Sequence, residues 1–98
     1  MIAAFSIAPS GVGESLSRQV AEAVRLVRQS GLPNETNAMF TNVEGEWDEV
    51  MAVIKACTMK LAESSPRVVV DIRIDYRPAV SDAMHGKVES VERHLRDA

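Results

Sequence analysis

The stretch Phe40-Thr41-Asn42-Val43-Glu44-Gly45-Glu46-Trp47-Asp48-Glu49 sets four carboxylates around one glycine and the only tryptophan of a 98-residue chain. Grouped carboxylates can move protons or ligate a cation, so their positions decide which chemistry is open to them. Glu46, Asp48 and Glu49 fall where a helix begins. Carboxylates in a first turn interact favourably with the free amides and the helix dipole, which accounts for all three. Glu44 differs: it precedes Gly45 at a strand end and is the one carboxylate left over for a ligand. Gly45 itself permits a tight strand-to-helix turn or a close approach by a ligand.

Other constellations reduce to structure. Asp71 and Asp75 share a strand face about 13 Å apart with Arg73 between them, beyond the roughly 5–9.5 Å that paired catalytic carboxylates need. An ion ladder fits them better. Residues 13–17, Gly-Glu-Ser-Leu-Ser, come close to a nucleophile elbow, but Ser17 stands where the final glycine belongs, and Ser15 reads as a helix N-cap. Gly11 and Gly13 begin a dinucleotide fingerprint that Leu16 breaks. His85 and His94 lie half a turn out of phase on one helix and cannot chelate together. The single cysteine, Cys57, cannot close an internal disulfide, which points to a reducing, cytoplasmic setting. No catalytic residue, no metal set and no cofactor is expected.

The elements that position these residues follow from apolar periodicity. Ile2–Ala8 is a continuous apolar run, read as a buried strand. Leu16, Val20, Ala23, Val24 and Val27 recur at helical spacing up to Gly31. Two short strands, 35–39 and 42–44, are expected around a turn near Phe40 and Thr41. A second helix after Gly45 carries the stripe Trp47, Val50, Met51, Ile54, Cys57, Thr58 and Leu61, with Trp47 expected in the core. Arg67–Arg77 alternates with period two, apolar on one face and charged on the other. A last helix lines up Met84, Val88, Val91 and Leu95.

Strand, helix, strand, strand, helix, strand and an extra helix make an α+β, ferredoxin-like βαββαβ sandwich over a four-stranded antiparallel sheet, one domain across residues 1–98. Both core helices share one sheet face. The other face, bearing Ala4, Ser6, Asp71, Arg73 and Asp75, and the apolar stripe of the last helix are expected to pack on a second copy. The composition, 46% hydrophobic and 26% charged with net charge -3, is globular and offers nucleic acid no basic face. No run is long enough to span a membrane, and the N-terminal apolar run lacks the basic residues of a signal peptide.

Taken together, residues 6–24, 30–34, 37–51 and 67–77 with 87–95 resemble the thiamine-binding protein family (UPF0045). The resemblance runs nearly end to end. It implies small ferredoxin-like domains that associate into dimers or dimers of dimers, and binding of thiamine or its hydroxymethylpyrimidine half without known catalysis. The family's motif residues map onto Ser6, Ser15, Ser17, Met39, Thr41, Glu44, Gly45, Glu46, Asp75, Arg77 and Lys87, with Phe40 where many members have glycine. On that basis Ser6, Ser15, Ser17, Thr41 and Glu44, with Asn37 and Asp75, are expected to line a small-molecule pocket near the strand ends. Hydroxyls and a carboxylate suit an aminopyrimidine edge. The competing expectation is an oligomeric scaffold or regulatory protein whose pocket is vestigial; an enzyme ranks third, lacking a nucleophile–base pair.

Overall fold

Strands and helices follow one another as the two apolar periods demand. A computed structural model describes residues 1–10, 16–79 and 81–97. Its elements are β1 (Ile2–Ser10), α1 (Leu16–Gln29), β2 (Asn34–Thr36), β3 (Thr41–Glu44), α2 (Trp47–Ala62), β4 (Arg67–Asp75) and α3 (Ala83–Asp97). The sheet order is β2-β3-β1-β4, with every neighbouring pair antiparallel. This is the expected ferredoxin-like α+β sandwich with an added C-terminal helix. The expected N-cap at Ser15 and the glycines at 11 and 13 lie outside the described residues.

Register explains which side chains meet. Ala3 pairs with Val43 and Ile74, and Phe5 with Thr41 and Ile72, so these side chains share the helix-covered face. Ala3, Phe5 and Val43 pack there against Ala23 and Val27 of α1 and Val50, Ile54, Cys57 and Leu61 of α2. Ala4 opposite Arg73 and Ser6 opposite Asp71 fall on the other face, as the alternation predicts. The β1–β3 ladder stops at Phe5–Thr41, whereas the β1–β4 ladder continues to Ser10–Arg67. Beyond Phe5, β1 therefore outruns β3, leaving a notch in the sheet. Gly31 ends the first helical segment with φ 79°, a left-handed conformation that glycine adopts without steric cost.

Two expectations need correcting. The strand expected over 35–39 stops at Thr36, because Asn37 turns the chain with its side chain. Its Oδ1 accepts the Met39 and Phe40 amides at 2.9 Å each, and its own amide donates to the Phe40 carbonyl at 2.9 Å. Asparagine competes with the ladder in this way wherever a backbone amide lies two or three residues on. The turn is thus Asn37–Phe40, and Thr41 opens β3 rather than closing the loop. Trp47, expected in the core, is 49% exposed. It stands at the first turn of α2 and meets Tyr76 edge to face, ring centroids 6.3 Å apart.

The third helix lies partly over the otherwise open sheet face. Ala83 and Met84 are buried by the chain's own sheet, while Val88, Val91 and Leu95 remain exposed. The stripe expected along α3 is thus split between its buried start and a free remainder. The projecting helix contributes to a long molecule of 49 × 28 × 20 Å.

Burial orders the cost of truncation along α2. Ile54→Ala, at a 3% exposed core position, is expected to lower unfolding free energy by about 2–4 kcal/mol. Trp47→Ala removes a half-exposed ring and an edge contact and should cost only about 0.5–1.5 kcal/mol. Urea unfolding of both variants checks the order; equal losses would return Trp47 to the core.

Candidate functional site

Glu44 sits at the end of β3 on the face away from α1 and α2, opposite Ile2 of β1. It is 6% exposed, and a carboxylate so buried needs partners for its oxygens. They are the first two amides of α3: Ala83 N–H donates to Oε2 at 2.6 Å and Met84 N–H to Oε1 at 3.1 Å. The left-over carboxylate of the sequence thus caps a helix distant in the chain. Charge-assisted bonds to a helix N-terminus place negative charge where the dipole favours it. Gly45 passes close behind, exchanging backbone hydrogen bonds with Met1; a Cβ there would come within 3.3 Å of Leu32.

Two more polar contacts hold α3 across the sheet. His85 Nδ1 meets Asp82 at 2.9 Å and Nε2 meets Glu35 of β2 at 3.1 Å. Lys87 pairs with Asp75 at the end of β4. The Asp82 hydrogen bond and charge, with Glu35 behind them, raise the His85 pKa above its ordinary value. The Lys87 hydrogen bond holds the Asp75 carboxyl below its own. Beneath this strap runs a groove of about 600 Å³ lined by Asn37, Asn42, Asp75, Met84 and Lys87 among others.

A different hollow forms where β3 stops and β1 continues. It encloses about 200 Å³ between the Asn37–Phe40 turn, β1 and α1. Phe5, Val20, Val24 and Phe40 supply apolar walls, and Ser6, Thr36, Asn37 and Thr41 supply polar margins. Alternation turns the Ser6 side chain toward the opposite face, so Ser6 borders the cavity through its backbone. Among the described residues no strand pairs with this edge of β1 past Phe5. Every second residue of the stretch therefore aims an amide and carbonyl into the notch. Apolar walls beside an array of donors and acceptors suit a small, hydrogen-bonding ring.

The expected site residues divide between these places. Ser6, Asn37 and Thr41 gather at the notch cavity. Ser17, on the first turn of α1, borders a shallow groove that shares Val20 and Val24 with the cavity. Asn37 also touches the groove beneath α3, where Asp75 lies. Glu44 borders a fourth hollow, with Pro33 and Asp82. Thr41 and Glu44 occupy opposite ends and opposite faces of β3, so one pocket cannot hold both side chains. Ser15 lies outside the described residues. Sequence reasoning missed the walls Phe5, Val20 and Val24, whose apolar type signals only core, and the His85–Glu35 bridge, which no spacing announces.

Cys57 takes no part in these hollows. Burial pushes its thiol up to about 11, and its Sγ–H donates to the Ala23 carbonyl at 3.3 Å. Among the described residues, no group of three His, Cys, Asp or Glu side chains stands ready for a metal. None of the helices is long and apolar enough to cross a membrane, again among the described residues.

The sequence profile described as thiamine-binding protein matches residues 3–92. A UPF0045 protein of Mycobacterium bovis is 52% identical over 96 residues, covering 97% of this chain and 94% of its own. The crystal structure of a hypothetical protein from Methanocaldococcus jannaschii superposes with a TM-score of 0.84 at 32% identity, covering 93% of this chain and 94% of that one. A domain of unknown function from Bacillus cereus follows at TM-score 0.76 and 30% identity, over 85% and 83% of the two chains.

Two outcomes test the strap. Glu44→Ala leaves two α3 amides without acceptors and should cost about 1–2 kcal/mol in urea unfolding, with faster amide exchange at Ala83 and Met84. Undiminished protection there would mean that α3 is held by other contacts. For His85 the folded pKa lies above the unfolded one, so its contribution is complete below the unfolded value. It is lost as pH rises through the raised folded value. The melting-temperature gap between native protein and His85→Gln should therefore shrink from about pH 5.5 to about pH 8.5. A constant gap would count against the bridge.

Proposed function

The chain belongs to the thiamine-binding protein family, and from that premise we propose that it binds thiamine or a related hydroxymethylpyrimidine, without catalysis, in the notch cavity beside Thr41. One observation carries the reading: a cavity with apolar walls opens onto the edge of β1 that, among the described residues, no strand pairs beyond Phe5, and Ser6, Asn37 and Thr41 meet there. An aminopyrimidine edge offers an amino donor next to a ring-nitrogen acceptor, and backbone amides, carbonyls and hydroxyls complement both. Phe40 supplies aromatic surface for a flat ring, with the buried Phe5 behind the cavity wall. Ser17, a turn of helix away, stands toward the rim.

Binding rather than turnover fits the carboxylates of Glu44, Asp75 and Glu49, which are already engaged. Glu44 accepts amides of α3, Asp75 pairs with Lys87, and Glu49 accepts the Glu46 amide at 3.1 Å. A homo-oligomer, a dimer or a dimer of dimers, is part of the same reading. The exposed Val88, Val91 and Leu95 on α3 and Val69 on the sheet support it. Sedimentation equilibrium returning a lone copy would remove the assembly. The single buried thiol accords with a cytoplasmic setting.

Calorimetric titration tests the site. Thr41→Val keeps the shape of an 8% exposed side chain and deletes its hydroxyl. The expected cost is about 0.5–1.5 kcal/mol of binding, roughly 2- to 12-fold in Kd, for either ligand. Identical isotherms from native protein and variant would take Thr41 out of the site.

A further inference from the structure

We propose that Phe40 sets the size of ligand this chain accepts, admitting a single planar ring and excluding a second ring joined to it. The inference deepens the reading above and rests on it. Its first support is volume. At about 200 Å³ the notch cavity is smaller than the groove beneath α3, and falls below the roughly 300–1,000 Å³ usual for larger ligands. Hydroxymethylpyrimidine is one ring with small substituents; thiamine carries a whole further ring through a methylene bridge.

The second support is the way the wall is held. Both the amide and the carbonyl of Phe40 are tied to Asn37, at 2.9 Å each. The backbone beneath the ring is therefore fixed by a neighbour's contacts and not by the phenyl group. Phe40 is 38% exposed, whereas Met39 beside it is 72% exposed. Of these two side chains, Phe40 is the one set more firmly between cavity and solvent. Replacing it changes the room available while the turn that carries it keeps its bonds. Asn37 acts here as a positioning residue, and Phe40 as the one that meets the ligand.

Calorimetry with hydroxymethylpyrimidine and with thiamine, each against native protein and Phe40→Ala, tests the proposal. Native protein should bind the single ring at least ~10-fold more tightly than thiamine, and Phe40→Ala should bring the two within ~3-fold. Phe40→Trp, the opposite change, should weaken hydroxymethylpyrimidine binding, and it serves as the test should the alanine variant fail to fold by circular dichroism. Native protein binding thiamine as tightly as the single ring would overturn the size limit while leaving the thiamine-class reading intact. A ratio unchanged in Phe40→Ala would do the same. No heat from either ligand with any of these proteins would overturn both.

Discussion

The carboxylate of Glu44 against the first two amides of α3 is the contact on which the rest of the helix-free side depends. A sheet with two helices on one face has no intrinsic reason to carry a third on the other. Glu44 supplies that reason by presenting buried negative charge to a helix N-terminus. Once α3 starts there, His85 falls beside Glu35 and Lys87 beside Asp75. The groove beneath α3 and the split of its apolar stripe into a buried start and a free remainder are consequences of the same anchor.

The cavity has an independent origin. Unequal strand lengths make it: β3 ends its pairing at Phe5–Thr41 while β1 runs on along β4. Among the described residues no strand pairs with that edge, which presents donors and acceptors in a row, and the Asn37–Phe40 turn and α1 fold over it. Glu44 and Thr41 belong to the same short strand yet serve opposite faces. The strap and the cavity therefore share a backbone without sharing side chains. Changes confined to one can leave the other largely in place.

Much of the architecture was legible because it rests on period. The alternation of Val68, Val70, Ile72 and Ile74 marked β4, and the spacing of Val50, Ile54, Cys57 and Leu61 marked the buried face of α2. Even so, Ile72 is 39% exposed, since β4 is an edge strand whose coverage depends on where the helices end. The role of Glu44 was not legible, because its partners lie about forty positions further along and nothing local distinguishes a cap for a remote helix. The end of β2 was misplaced because a side-chain oxygen replaced the ladder at Asn37. Trp47 kept its helical phase but stood half-exposed at the first turn of α2, where phase says nothing of cover. For the cavity, polar residues were visible as candidates, whereas the wall residues were indistinguishable from ordinary core.

The thiol of Cys57, sealed between α1 and α2 and donating to Ala23, is the only sulfhydryl of the chain. Maleimides act on accessible thiolates, and this group is neither accessible nor ionised near neutrality. The exterior of the native molecule is therefore blank to such reagents. A cysteine introduced on the free side of the last helix can carry a spin label or fluorophore alone, with no background from within.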